Sequence, residues 1–218
     1  MADALVISGG GPYADAWHDF AATSARLAEL VEGLGHRAVV VEDVEAALSR
    51  PAADLLVLNI GNPVPPRPPD RLRAVVDGVT GHLAAGGGVL AVHLSIGALP
   101  GAPGWSRALG GRWEWGRSWH PDLGTATVDL RPAGHPVVAG ATRLVVDDER
   151  YCDLVVEDGV TVLGSHREQG RDQPMIWARA TPPGRVVYDG LGHDVRSFDS
   201  AGHVAFLRRA VRWLLREI

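Results

Sequence analysis

The sequence predicts an α/β protein whose parallel sheet carries helices on both faces. Short apolar runs alternate with helix-like segments through the first half of the chain, as parallel strands and their crossovers require. The 218 residues are 46% hydrophobic and 22% charged, an ordinary globular composition. A chain of this length can bury one sizeable core, whereas two domains would both be small. We therefore expect a single domain over residues 1–218.

Four apolar runs in the first half predict the parallel strands, and three amphipathic runs predict the helices between them. The predicted strands cover residues 4–8, 37–41, 54–59 and 89–92. The predicted helices cover residues 17–34, 43–48 and 70–83. A broken helix, interrupted by Pro and Gly, is expected over residues 96–109.

The second half changes to short strands separated by turns, and a final helix closes the domain. The predicted strands cover residues 125–130, 143–146, 154–156, 160–163, 175–178 and 185–188. The final amphipathic helix is expected over residues 201–217.

The fourth strand ends at a sharp turn that presents a histidine. Residues 86–88 are glycines, residues 89–92 are apolar, and His93 follows at once. In α/β sheets, ligands collect at the carboxyl ends of central strands, and a tight turn there pushes one side chain outward. We expect the His93 imidazole to be exposed at this edge. The alternative is that it caps the strand by hydrogen-bonding to the backbone.

Three further polar residues lie at predicted strand ends or in the loops that follow them: Glu149, Tyr151 and His193. With His93 they form the predicted catalytic set, which we expect to converge on one cleft. A carboxylate paired with imidazoles can act as general base and acid. Two histidines and a glutamate also suit a divalent metal, although no local His-x-x-x-His spacing supports it. A salt bridge for Glu149 and a strand-end hydrogen bond for His193 are the structural alternatives; no organic cofactor is predicted.

A tryptophan-rich stretch over residues 110–121 has two interpretations. Its three tryptophans alternate with polar residues, which fits a strand with one buried face. Indole rings beside Arg, Glu and His also fit a carbohydrate pocket, because sugars stack their C–H faces on them. We favour the pocket wall. The candidate substrate-binding residues are His18, Ser95, Trp115, His120, Trp177 and Asp194.

Charge and composition exclude several classes of partner. The formal net charge of −5 and the absence of a basic run argue against nucleic-acid binding. Cys152 is the only cysteine, so no internal disulfide can form. No signal-peptide pattern and no apolar run of membrane-spanning length is present. We expect a cytoplasmic protein with no membrane partner and a small-molecule carbohydrate ligand; a homo-oligomer is left open.

Five short pieces, in this order, resemble the ThuA-like (trehalose utilisation) family. They are Val92-His93-Leu94-Ser95, Gly134-His135-Pro136-Val137, Asp148-Glu149-Arg150-Tyr151, Pro174-Met175-Ile176-Trp177 and Gly190-Leu191-Gly192-His193-Asp194. The resemblance implies the class I glutamine amidotransferase-like fold, a flavodoxin-like three-layer sandwich with a mostly parallel central sheet. It also implies a link to sugar utilisation.

The chain departs from the glutamine amidotransferase pattern at the elbow position. Glutamine amidotransferases need a cysteine at the elbow with a downstream His and Glu, whereas this chain has His93 there and Cys152 in another segment. We therefore predict no glutamine amidotransferase activity. Two functions remain open: an enzyme acting on a sugar or keto-sugar by acid–base or metal-dependent chemistry, and a catalytically silent module that binds a sugar or a partner.

Overall fold

The structure is a computed structural model that describes residues 1–102, 104–131 and 134–218. The strands are β1 (Asp3–Ser8), β2 (Arg37–Val41), β3 (Leu55–Asn59), β4 (Gly88–Val92), β5 (Gly111–Arg112), β6 (Gly124–Leu130), β7 (Arg143–Asp148), β8 (Val155–Val156), β9 (Thr161–Glu168), β10 (Arg171–Thr181) and β11 (Gly184–Asp189). The α-helices are α1 (Phe20–Glu32), α2 (Val44–Ser49), α3 (Pro69–Ala84), α4 (Trp105–Leu109) and α5 (Ala201–Leu214). Short 3₁₀ helices cover Gly11–Tyr13, His93–Gly97, Pro136–Val138 and Val195–Asp199.

Nine strands form one sheet in the order β2-β1-β3-β4-β11-β10-β9-β6-β7. The strands from β2 to β11 in that order pair in parallel, which confirms the parallel arrangement predicted for the first four. From β11 onward the pairs are antiparallel, and short hairpin turns join β9 to β10 and β10 to β11. The short strands β5 and β8 form a separate antiparallel pair.

Helices cover both faces of the sheet and so create three layers. Leu27 of α1 and Leu207 of α5 belong to the core on one face. Leu48 of α2, Val79 of α3 and Leu109 of α4 belong to the core on the other. Every residue of β3 and β4 is buried, as expected for parallel strands covered on both sides.

The helix boundaries differ from the prediction where a cap intervenes. The Asp19 side chain accepts a hydrogen bond from the backbone N–H of Ala22, so α1 begins at Phe20. Trp17, predicted as an apolar position of that helix, is left outside it and is 77% exposed. The broken helix expected over residues 96–109 becomes a 3₁₀ turn and α4; Pro103, one of its expected breakers, lies outside the described residues.

The carboxyl ends of the parallel strands define the edge where the candidate residues gather. β1, β4 and β11 continue there into residues 9–19, 93–97 and 190–194. Because β11 lies directly beside β4, the 190–194 loop faces the turn at His93. In the described part of the chain, no helix has both the length and the apolar character needed to cross a membrane.

Candidate functional site

His93 lies at a strained turn directly after β4. Its φ of 47° is in the left-handed region, which non-glycine residues seldom adopt. The side chain is only 2% exposed, so the expectation of an outward imidazole is wrong: the ring stacks on Tyr151, with ring centroids 4.4 Å apart. Nδ1–H donates to the Gly190 carbonyl at 2.9 Å. This bond leaves the Nε2 lone pair free to accept the Tyr151 hydroxyl at 2.8 Å.

Glu149 follows β7 and lies between two imidazoles. Its Oε2 is 3.4 Å from His93 Nε2 and 3.4 Å from His193 Nδ1. Burial alone would raise the pKa of Glu149, but the two histidines outweigh it and hold the pKa well below its usual range. Burial disfavours the charged form of His193, yet the Glu149 carboxylate raises its pKa overall. At neutral pH the site therefore holds an ionised carboxylate beside an imidazole that readily accepts a proton.

His18 reaches the same point from the loop after β1, where Asp15 orients it. Both Asp15 oxygens lie 2.8 Å from His18 Nδ1, and Oδ1 also accepts the backbone N–H groups of Trp17 and His18 at 2.9 Å. Burial and the neighbouring His93 lower the pKa of His18 to about 4, although Asp15 opposes this. The imidazole is therefore neutral. Its buried Nε2 has no hydrogen-bond partner among the described residues.

Asp148 holds the two halves of the site together. The side chain is fully buried, and its Oδ1 accepts the backbone N–H groups of Glu149 at 2.8 Å and His193 at 3.2 Å. Its Oδ2 accepts the N–H of Gly192 at 2.7 Å and the hydroxyl of Ser197. Because these bonds tie the end of β7 to the 190–194 loop, Asp148 sets the position of Glu149 relative to His193.

A cavity of about 430 Å³, here called the aromatic cavity, opens above these groups. It is lined by Asp15, Trp17, His18, Asn62, Val64, Leu94, Trp113, Trp115, His120, Glu149, Tyr151 and His193. Trp17 and Trp115, which are 77% and 54% exposed, stand at its mouth. His120 faces the floor, with Nδ1 3.6 Å from Glu149 Oε1. The cavity thus joins an aromatic wall to a charged floor.

The structure brings together seven of the ten candidate residues. His93, Glu149, Tyr151 and His193 meet as described, and His18, Trp115 and His120 lie beside them. The interpretation of the tryptophan-rich stretch as a pocket wall agrees with the position of Trp115. The remaining three candidates, Ser95, Trp177 and Asp194, do not line the cavity.

Ser95 was expected to contact substrate, but it is fully buried behind the turn. Its hydroxyl donates to the Leu58 carbonyl at 2.8 Å and accepts the Ile60 N–H at 3.1 Å. These bonds satisfy backbone groups at the end of β3, so the hydroxyl has a structural role.

Trp177 and Asp194 are also corrections to the predicted site. Trp177 is fully buried in β10, and its indole N–H donates to the Leu109 carbonyl at 2.9 Å. Asp194 caps the 3₁₀ helix Val195–Asp199 and pairs with Arg196. Neither side chain is directed into the aromatic cavity, because each is engaged by a partner elsewhere.

The sequence analysis missed seven residues around the site. Asp148 lies behind it, and six others line the cavity: Asp15, Trp17, Asn62, Val64, Leu94 and Trp113. Trp113 belongs to the tryptophan-rich stretch, so the signal for it was present. Asp148 belongs to an acidic run at a strand end, although nothing local shows that it would be buried. Asp15 precedes His18 by three residues, a spacing that allows a side-chain pair.

Cys152 stands apart from this site and is unsuited to nucleophilic chemistry. The thiol is completely buried, and burial raises its pKa to about 12. Its Sγ lies 3.5 Å from the Arg150 carbonyl and 3.8 Å from His166 Nε2. The elbow position is occupied by His93, so the chain has no reactive thiol there.

Comparison with known proteins agrees with this architecture. Residues 15–214 match the family model described as ThuA, trehalose utilisation. A ThuA-like protein from Parabacteroides merdae superposes with a TM-score of 0.80 at 17% identity, over 99% of this chain and 90% of that one. A ThuA-like protein from Bacteroides uniformis gives a TM-score of 0.76 at 16% identity, over 97% and 90%.

A more distant similarity identifies the wider fold. A glutamine amidotransferase from Thermotoga maritima gives a TM-score of 0.60 at 10% identity, over 98% of this chain and 97% of that one. No curated protein sequence matches the chain. The fold is therefore the glutamine amidotransferase-like α/β fold, as predicted. Because the family model spans nearly the whole sequence, the chain belongs to the trehalose utilisation (ThuA) family.

Proposed function

We propose that the protein binds a small carbohydrate, a disaccharide of the trehalose type or its keto-sugar derivative, in the aromatic cavity and acts on it by proton transfer. The observation that carries this proposal is the union of exposed indole rings with an ionised carboxylate between imidazoles. The family description, trehalose utilisation, supports the class of ligand. We propose a bacterial cytoplasm as the setting and leave a homo-oligomer open.

The walls of the cavity suit the apolar face of a sugar ring. Trp17, Val64 and Trp115 are 77%, 71% and 54% exposed, which is unusual for large apolar side chains. All three converge on one opening. Clustered exposed apolar side chains of this kind mark binding sites, and flat indole rings can stack on sugar C–H groups.

The floor of the cavity suits the polar face of the same ligand. The Glu149 carboxylate, which its lowered pKa keeps ionised, can accept a hydrogen bond from a sugar hydroxyl and stabilise positive charge on the neighbouring imidazole. His193, whose pKa is raised, can donate a proton to the oxygen on which charge develops. General acid–base catalysis needs a group that exchanges a proton within reach of the substrate. Here the Glu149 carboxylate lies 3.4 Å from His193 Nδ1, where it stabilises the protonated imidazole.

A second candidate, a catalytically silent binding module, is favoured by one observation. His93 is 1% exposed, and its Nδ1–H is bound to the Gly190 carbonyl. One of the predicted catalytic groups is thus engaged by the backbone, as a structural cap would be. The cavity would then hold a sugar without converting it.

Binding and turnover measured side by side test both candidates. Trehalose and its keto derivative are titrated calorimetrically, and products are followed by NMR. Trp115→Ala should weaken binding about tenfold, because a stacking surface is lost. Glu149→Gln should retain binding and lose turnover. Val145→Ala, a 55% exposed apolar control on β7, should leave both unchanged.

Each result decides between the candidates. Binding without turnover in the wild-type protein would support the silent module. Failure of the wild-type protein to bind any tested sugar would overturn the carbohydrate proposal. An equal loss of binding in Trp115→Ala and Val145→Ala would show that the aromatic wall does not contact the ligand.

A further inference from the structure

We propose that the floor of the aromatic cavity binds one divalent transition-metal ion through four side chains, called the histidine cluster: His18, His93, Glu149 and His193. The inference deepens the proposed function, because the ion would serve the same cavity. One ligand atom from each residue can be chosen so that all four lie within 4.8 Å of one another.

Two distances from Glu149 within the histidine cluster fit a shared ion better than direct hydrogen bonds. Glu149 Oε2 is 3.4 Å from both His93 Nε2 and His193 Nδ1. Ordinary hydrogen bonds between such groups are about 2.7–3.2 Å long. Two ligand atoms about 2.1 Å from one ion at the tetrahedral angle lie about 3.4 Å apart.

Two nitrogens of the histidine cluster make no hydrogen bond in the part of the chain that the structure describes. His18 Nε2 and His193 Nδ1 are buried, and among the described residues neither makes a hydrogen bond. Buried polar atoms are nearly always paired, so two orphaned atoms that face one point indicate a missing ligand. A cation that accepts both lone pairs would satisfy them together.

In His18 and His93 the opposite ring nitrogen is held as it is in metal-binding histidines. Asp15 oxygens lie 2.8 Å from His18 Nδ1, and the Gly190 carbonyl accepts His93 Nδ1–H at 2.9 Å. A carboxylate or carbonyl on the second nitrogen fixes the tautomer that leaves the other lone pair available. Asp148, through its bonds to the backbone of Glu149 and His193, positions the remaining two ligands.

The ligand set indicates which ion would bind. Three imidazoles and one carboxylate suit zinc(II) and its first-row neighbours, whereas magnesium and calcium prefer oxygen ligands. The Tyr151 hydroxyl donates to His93 Nε2 at 2.8 Å and would give up this bond to the ion. When bound, the ion would polarise a sugar hydroxyl or carbonyl oxygen that joins the four side chains as a further ligand.

Titration with zinc(II) and with cobalt(II), whose visible spectrum reports its ligands, tests the inference. The metal-stripped wild-type protein should bind one equivalent of either ion. His18→Ala and His193→Ala should each weaken binding at least about tenfold, as loss of one ligand requires. Tyr151→Phe should bind as tightly or more tightly, because a competitor for Nε2 is removed.

His36→Ala is the matched control. His36 Nε2 also lies near a carboxylate, 3.2 Å from Glu217, but at the opposite end of the sheet. This variant should keep full metal affinity, and thermal melts should show that every variant is folded. Absence of stoichiometric binding by the folded wild-type protein, or equal weakening in His36→Ala, would overturn the inference.

The variant Trp115→Ala, which should weaken sugar binding, separates this inference from the proposed function. Trp115→Ala should bind cobalt(II) with an unchanged spectrum while losing sugar affinity. If the wild-type protein binds metal but no sugar, the metal site stands and the carbohydrate proposal fails. If the wild-type protein binds sugar but takes up no metal, the metal inference fails and the carbohydrate proposal stands.

Discussion

The buried pair His203–Asp189 tests how the 190–194 loop is held, because Asp189 ends β11 directly before that loop. Both side chains are 0% exposed; Nε2–H of His203 donates to Asp189 Oδ2 at 2.7 Å, and Nδ1–H donates to the Ser197 carbonyl at 2.9 Å. His203→Ala would leave the Asp189 carboxylate buried without a partner. Breaking such a pair costs about 3–5 kcal/mol. For a chain of this size the expected fall in Tm is about 6–20 °C.

The same pair predicts the sign of a pH dependence. Burial disfavours the charged form of His203, but Asp189 outweighs it and raises the pKa above its unfolded value of about 6.5. The stabilisation is therefore complete below about pH 6.5 and is lost as the pH rises through the folded-state pKa. Asp189→Asn/His203→Gln removes both titrations. The stability difference between wild type and this double variant should shrink above about pH 6.5.

Urea unfolding of each variant measures both effects. Arg143→Ala is the control, since its pair with Asp129 is more than 60% exposed on both sides and should contribute less than about 1 kcal/mol. The reasoning is refuted if His203→Ala is no more destabilising than Arg143→Ala. A stability difference that stays flat with pH would refute the assignment of His203 as an imidazolium.

Three further predictions concern two glycines of α3, the buried thiol of Cys152 and the elbow residue His93. Gly78→Ala should destabilise by at least about 1–3 kcal/mol, because its Cβ would lie 1.9 Å from the Leu48 carbonyl oxygen. Gly81→Ala, in the same helix with open space around it, should stabilise the folded protein by about 0.4–1 kcal/mol. Equal changes in the free energy of unfolding for the two variants, measured in urea, would contradict this contrast. Cys152 should resist iodoacetamide in the folded protein and react after denaturation, because it is buried with a pKa of about 12. The protein should release no ammonia from glutamine, since His93 occupies the elbow; measurable glutaminase activity would refute that interpretation.

Local sequence was sufficient for the parallel strands and the main helices of the fold, although not for their exact bounds. The apolar runs of β1, β3 and β4 predict strands because central strands covered on both faces must be apolar throughout. Their alternation with helices predicts the parallel pairing, since such crossovers are what parallel strands need. The place of His93 at a strand end follows from the same pattern, and so does the edge at which it lies.

The direction and neighbours of each side chain depended on tertiary contacts. His93 turns inward because it donates a hydrogen bond to the Gly190 carbonyl. That carbonyl is 97 residues away in the sequence, and only the pairing of β4 with β11 brings it near. Ser95 and Trp177 leave the predicted site because distant backbone carbonyls engage them. Residue type at a strand end predicts where a functional group can be; long-range pairing decides what it contacts, because hydrogen-bond partners far apart in sequence leave no local signal.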